Sequence, residues 1–302
     1  MNNGGKLLIL GASSFVGQHL WKQLGPQQAI GTYNRNPISH GTFFDSLSMR
    51  VGDIIDDPSD IRAAVILLGD THPDSCADDA AISRALNVRS VLRTLDDLSE
   101  LDIPPIFTSS EFVFDGERGD YEEADVAEPI LLYGHQKLEV ERYMQDRGGR
   151  FCILRLAKVY GEEPGDGTII SGFIDAVQRG NHLKCASDQR FSPVYVGDVC
   201  DAILEVTERE INGLFHLGGP SGLSRFECLE QTLTAVRKYQ QVELEIETCS
   251  IRDFRLFEPR PVDVSMNSSK LVAATGLRLR RFNESCAAVA FACFEGETIA
   301  NV

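Results

Sequence analysis

The sequence predicts an α/β protein: a doubly wound parallel sheet with a smaller C-terminal lobe. Three observations carry that expectation. Apolar runs of strand length, KLLIL (6–10), AIGTY (29–33), AAVILL (63–68) and IPPIFTSS (103–110), are separated by longer stretches, two of which have the apolar spacing of helices. The first run is continuous, as in a strand covered on both faces by helices. It ends in a turn, GASSFVG (11–17), that opens onto an apolar-periodic helix, Val16 to Leu24, stopped by Gly25-Pro26. With 302 residues at 43% hydrophobic there is material for a sizeable core.

Composition removes several classes of partner. A formal net charge of −16 repels phosphate backbones and anionic lipid, so neither nucleic acid nor a membrane surface is expected. No apolar run approaches the roughly 18 residues of a membrane span, and the apolar stretch of MNNGGKLLILG is too short for a signal peptide. The eight cysteines are scattered without CxxC or His/Cys ligand spacing. Buried free thiols in a reducing cytoplasm, and no metal site, are the expectation.

Taken in order, the first strand, turn and helix form the anion-binding geometry that Rossmann sheets use for a dinucleotide pyrophosphate. Gly11, Ser13, Ser14, Phe15, Val16 and Gly17 are the candidate contacts. The spacing is Gly11-x-x-Ser14-x-x-Gly17, with serine at the middle place, and a plain tight turn is the competing reading. Ser14 offers a hydroxyl to phosphate, while its Cβ limits backbone approach. After AIGTY come Asn34 and Arg35, where NAD sites usually carry a carboxylate. A guanidinium suits a 2′-phosphate, so NADP is expected over NAD; an ordinary surface arginine is the alternative.

A short strand at Met49–Val51 is expected to deliver Asp53 and Ile54 towards an adenine, although a plain turn aspartate competes. The strand at 63–68 presents Leu68 and Gly69 at the same edge. A long helix from about Asp78 to Leu98 follows, with Ile82, Leu86, Val91, Leu95 and Leu98 as its buried stripe and Asn87 interrupting it. Ser109 and Ser110 close the next strand. A helix over 131–147 then carries Tyr133 and Lys137, four apart and so on one face. Strand 151–161 leads to a Gly/Pro-rich loop, GEEPGDG. The expected division is a dinucleotide-binding domain over 1–161, with elements around 193–217 returning to it. The smaller lobe comprises 162–192 and 218–302.

A tyrosine beside a lysine and opposite a serine is a device for moving a proton on and off a carbonyl oxygen. Tyrosine's ordinary pKa lies about three units above neutrality, and one ammonium at about 4 Å is expected to lower it by roughly that amount. Tyr133 would protonate the substrate oxygen, Ser110 would hydrogen-bond it, and Lys137 would also reach the nicotinamide ribose. With seven Tyr and seven Lys, YxxxK arises by chance roughly 0.2 times. The order of glycine turn, serine strand end and YxxxK is the more specific signal; an exposed helical pair is the alternative.

With these residues in view, the chain resembles the extended short-chain dehydrogenase/reductases, and within them the dTDP-4-dehydrorhamnose reductase family with its RmlD-like substrate-binding domain. The motifs are Ser109-Ser110-Glu111-Phe112-Val113-Phe114-Asp115-Gly116, Pro129 through Tyr133-Gly134-His135-Gln136-Lys137, Leu154-Arg155 before Val159-Tyr160-Gly161, Arg190-Phe191-Ser192-Pro193, Phe215-His216-Leu217-Gly218-Gly219 and Arg260-Pro261. The resemblance implies that Ser110, Tyr133 and Lys137 are catalytic and that Asn87 helps to orient the lysine. Glu111, Phe112, Lys158 and Arg190 fall where sugar specificity resides. Related dehydratases carry an acid at the place of Phe112, so its absence favours plain carbonyl reduction. Ser14, Phe112 and Lys158 depart from the family's usual glycine, tyrosine and tryptophan.

The expected function is therefore NAD(P)H-dependent reduction of a nucleotide-linked 4-keto-6-deoxy sugar, within dTDP-rhamnose-type biosynthesis, with a homodimer left open. Two alternatives stand beside it: a cofactor-binding regulatory subunit resembling the β subunit of methionine adenosyltransferase, and a nucleotide-sugar epimerase.

Overall fold

A computed structural model describes residues 5–180 and 182–295. In chain order the elements are β1 (Lys6–Leu10), α1 (Phe15–Gln28), β2 (Ala29–Tyr33), β3 (Thr42–Phe43), β4 (Ile61–Ile66), α2 (Pro73–Asp78), α3 (Ala80–Arg84), α4 (Ser90–Glu100), β5 (Pro105–Ser110), α5 (Leu132–Arg147) and β6 (Cys152–Leu156). There follow β7 (Val159–Tyr160), α6 (Ile169–Arg179), β8 (Leu183–Ala186), β9 (Arg190–Phe191), β10 (Val194–Tyr195), α7 (Val196–Glu208) and β11 (Gly213–Leu217). The chain closes with β12 (Leu223–Ser224), α8 (Arg225–Val236), β13 (Ile246–Cys249), α9 (Ser269–Thr275) and α10 (Phe282–Phe294).

The chain divides into two compact units. Among the described residues the first holds 5–114, 126–155 and 199–215; the second holds 115–125, 156–180, 182–198 and 216–295. Compared with the expected division, 115–125 groups with the second unit, and the returning segment starts at 199. The main sheet has seven strands in the order β11-β6-β5-β4-β1-β2-β3, the reversal on either side of β1 and β4 being the doubly wound pattern. The pairings β1–β2, β1–β4, β2–β3 and β4–β5 are parallel, so the C-terminal ends of β1, β4 and β5 share one edge.

The core of the first unit follows from the apolar strands. Leu8, Leu10, Ala64, Ile66, Phe107 and Ile153 are buried against Val91, Leu95 and Leu98 of α4 and Val140 and Met144 of α5. Trp21 of α1 lies over Gly31 of β2 so closely that a Cβ there would sit 2.6 Å from its ring. As expected, α1 breaks at Gly25 (φ 64°), though one further turn continues to Gln28. The strand expected at Met49–Val51 is absent. Arg93 takes the Met49 carbonyl (3.1 Å) and Asp97 the Val51 N–H (2.8 Å), so the backbone groups that a ladder needs are bound by α4 side chains.

The helix expected over 78–98 is also different: α2 ends at Asp78, and a π-helical turn, Ala85–Arg89, separates α3 from α4. A π turn adds a residue and rotates what precedes it. Ile82 is thereby 59% exposed, while Ser83 and Asn87 face inward. The second unit contains three two-stranded pairings, β7–β10, β9–β12 and β8–β13, with α8 packed between α6 and α10. All eight cysteines are free, six of them buried.

Candidate active site

The glycine turn is built as its spacing suggests, with the serine playing a different part. Gly11 has φ +99°, which glycine alone adopts without strain. A Cβ on Gly17 would lie 2.3 Å from the Gly11 carbonyl oxygen, so α1 packs onto the turn only because that residue is glycine. Ser14 (φ −74°) needs no such freedom; its Oγ accepts from Gly17 N (3.2 Å) and caps α1. Serine at the middle place is thus a helix cap. Phe15 and Val16 open the helix, where the N–H groups lack intrahelical acceptors and face outward along the dipole. Ser13 is tied by its carbonyl to Gln18 Nε2 (2.9 Å). These residues fit a dinucleotide pyrophosphate.

Beyond β2, Asn34 and Arg35 are exposed, and Arg35 makes no ion pair among the described residues. Asp53 spends one oxygen on Arg50 N (2.7 Å), closing a 3-10 turn, while Ile54 packs on the core. At the end of β4, Leu68 packs on the same core and Gly69 has φ +115°. A Cβ at 69 would meet Asn87 Oδ1 at 2.4 Å. Asn87 is 2% exposed and clasps Asp70 from both sides: Oδ1 accepts from Asp70 N (2.7 Å) and Nδ2 donates to Asp70 O (3.0 Å). Nδ2 also donates to Gln136 Oε1 (2.7 Å). Asn87 therefore holds the neighbour of Lys137 and the β4 loop, and is not bonded to the lysine itself.

Ser110, Tyr133 and Lys137 come together where β5 ends and α5 begins. The helix approaches the strand because residue 134 is glycine: a Cβ there would lie 2.0 Å from Phe112 O. Ser110 Oγ accepts from Phe112 N (3.2 Å) and hydrogen-bonds Tyr133. Phe112 meets the Tyr133 ring edge-on at 6.3 Å. Lys137 Nζ donates to Thr108 O (2.9 Å), lies 4.7 Å over the Phe107 ring and 5.7 Å from the Tyr133 ring centre. Ser109, on the same strand, has a buried hydroxyl without a partner.

The electrostatics differ from the expectation in one respect. Burial pushes the Tyr133 hydroxyl well above the ordinary tyrosine range; the Ser110 bond opposes this, and Cys76, Asp70 and Glu111 reinforce it. Burial therefore decides the direction, where the sequence led to the expectation that Lys137 would lower it. Burial pushes Lys137 down to about 8, with Glu141 and Cys76 opposing. Cys76, Asp70, Thr108 and Gln136 are members of this cluster that no local pattern marked; only contacts across 11 to 49 residues bring them in.

The VFDG stretch divides between the units. Glu111 is 4% exposed in the 3-10 turn after β5. Asp115 accepts from Tyr121 OH and from Glu117 N (3.1 Å), and Gly116 O accepts from Asp263 N (2.8 Å). A Cβ on Gly116 would lie 2.4 Å from Pro261, so Asp115-Gly116 and Arg260-Pro261 are two halves of one joint in the second unit. In that unit Lys158 is exposed, its carbonyl accepting from Val194 N (3.0 Å). Arg190 bonds Glu227 Oε2 (2.9 Å) and Gly222 O (2.9 Å), with Asp263 at 3.7 Å. Among the described residues no cluster suits a metal ion, and no helix is long and apolar enough to cross a membrane.

Residues 5–293 match the family model described as the RmlD substrate binding domain. A dTDP-4-dehydrorhamnose reductase of Aggregatibacter actinomycetemcomitans is 24% identical, over 90% of this chain and 94% of that one. The methionine adenosyltransferase 2 subunit beta of Xenopus tropicalis is 27% identical, over 74% and 70%. Among solved structures, a hypothetical dTDP-4-dehydrorhamnose reductase from Sulfolobus tokodaii superposes with a TM-score of 0.77 at 25% identity, over 89% of this chain and 94% of that one.

Proposed function

Because the chain belongs to the RmlD substrate binding domain family, we propose that it uses NADPH to reduce the 4-keto group of a nucleotide-linked 6-deoxy sugar. The coarser statement, an NAD(P)-dependent oxidoreductase of the dTDP-4-dehydrorhamnose reductase kind, follows from its relatives. One observation carries the finer reading: a buried Ser110–Tyr133–Lys137 cluster after β5 and a glycine turn fitted to a dinucleotide after β1 lie at the C-terminal edge of one parallel sheet, on either side of β4.

A reduced nicotinamide bound at this edge supplies hydride to the carbonyl carbon. The chain supplies everything else. Gly11 and Gly17 let the backbone close on a pyrophosphate, and the α1 N-terminus favours its charge. Tyr133 stays protonated at neutral pH, because burial disfavours its anion. It gives up its proton once the substrate oxygen has gained enough charge to be the stronger base. Ser110 holds that oxygen, and the Lys137 cation stabilises the charge left on Tyr133. Phe112, in place of an acid, supports reduction over elimination or epimerisation. Arg35, exposed after β2 with no carboxylate beside it, supports NADPH over NADH.

A regulatory role is the second reading, favoured by the 27% identity to a methionine adenosyltransferase β subunit. Purified protein with NADPH and a panel of dTDP- and GDP-4-keto sugars separates the two. The reductase reading expects NADPH oxidation with at least one sugar and a lower kcat/KM with NADH. Tight NADPH binding without oxidation across the panel would leave the regulatory reading standing.

A further inference from the structure

Gln136 lies between Tyr133 and Lys137 in sequence and is 1% exposed. Its amide oxygen accepts from Asn87 Nδ2 (2.7 Å) and Ser83 Oγ (2.9 Å), and its amide nitrogen donates to Ser83 Oγ (2.7 Å). Ser83 and Asn87 are both 2% exposed, four residues apart on the face that the π turn rotates inward. Asn87 in turn clasps the backbone of Asp70 next to Gly69. A continuous line of buried polar groups therefore runs from Ser83 through Gln136 and Asn87 to the end of β4. Each member satisfies another, and a buried network of this kind fixes geometry only while complete.

Apolar packing through Val140 and Met144 holds α5 against the sheet without fixing a direction in the way a hydrogen bond does. A small rotation would carry Lys137 off the Thr108 carbonyl and Tyr133 off Ser110. Farther along α5, Glu139 is held by Arg84 and Glu141 by Arg155; the Gln136 amide is the directional contact that lies between Tyr133 and Lys137 in sequence. We propose that Gln136 is a positioning residue, its amide locking α5 to the Ser83–Asn87 face and the β4 end so that Tyr133 and Lys137 stay aligned on Ser110 and Thr108. This rests on the reductase reading of that cluster.

Gln136→Met keeps the side-chain length and removes all three amide hydrogen bonds. The direct readout is the titration of the lysine side-chain signals by NMR, with Lys137→Met identifying one signal among seven lysines. Glu141, Cys76 and the Tyr133 ring, which bear on Lys137, are all retained in the variant. The native midpoint near 8 is expected to move upward by about half a unit or more as the ammonium gains solvent. In parallel kcat is expected to fall about tenfold, with NADPH affinity changing less than about threefold. Ser83→Ala, the milder variant, should move the midpoint less and in the same direction. An unchanged Lys137 midpoint in both variants, each folded by circular dichroism, overturns the proposal even if thermal stability falls. The lysine signal needs no turnover. A protein that binds NADPH and reduces no sugar would therefore end the reductase reading without obscuring this result.

Discussion

Two buried cations, one on α5 and one on the strand beside it, are treated in opposite ways. Arg155 of β6 is held by Glu141 of α5 through three bonds of 3.1, 3.2 and 2.7 Å, both side chains almost wholly buried, and its guanidinium also lies over Phe114. Lys137, one turn before Glu141, has a backbone carbonyl and two aromatic faces for partners, and burial pushes it down to about 8. A buried charge with a bidentate counter-ion is part of the framework; one held by a carbonyl dipole and aromatic faces, without a counter-ion bonded to it, is poised to change state. The contrast separates what supports the site from what acts in it.

The largest expected effect removes the proton that this contrast serves. Tyr133→Phe should lower kcat by about 10²–10⁴-fold while NADPH binding, followed by fluorescence, is little changed. Equal rates would remove Tyr133 from the mechanism. Next come the two cations. Glu141→Gln leaves Arg155 buried without its counter-charge and should cost about 3–5 kcal/mol in urea unfolding. Lys137→Met removes a charge that burial disfavours and should stabilise the protein at pH 7 by about 1–3 kcal/mol while abolishing turnover. If both destabilise alike, the distinction drawn above is wrong.

The pH dependence sharpens it further. Lys137 has a folded pKa depressed to about 8 from 10.5, so the unfolded chain binds the extra proton between those values. The cost of burying the cation is present below pH 8, and the contribution of this group to stability rises with pH from 8 towards 10.5. Activity runs the other way: kcat/KM should fall above about pH 8 as the ammonium is lost, read from a pH–rate profile of the unaltered protein. The smallest effect is at the glycine turn, where Ser14→Ala should cost about 1 kcal/mol through the lost cap and Ser14→Gly a few tenths, read by thermal melts.

Much of the first unit was legible because its signals are local. Continuous apolar runs mark strands covered on both sides, and Gly11, Gly17, Tyr133 and Lys137 announce themselves by spacing. The failures are where a distant side chain intervened. Met49–Val51 has strand composition, but Arg93 and Asp97 take its backbone groups. Ile82 fits an α-helical stripe and is exposed, because one π turn shifts the register. Ser14 looked like a defective glycine and is a cap. Cys76 carries no sequence mark, and Gln136 stands in the YxxxK motif only as a spacer, since a buried amide or thiol gains meaning only from what folding brings to it. Asp115-Gly116 was legible as a family motif, while its fit against Pro261 was not.

The approach of α5 to β5 has a last consequence, of a mechanical kind. An ideal Cβ at position 134 would come within 2.0 Å of the Phe112 oxygen, so the clearance between the helix and the turn beneath it is smaller than one methyl group. The seat on which Tyr133 rests is thus machined to a tolerance set by the absence of a side chain next door. Gly134→Ala acts as a shim of known thickness under the proton donor, lifting it from Ser110 while leaving every ionisable group in the cluster chemically intact.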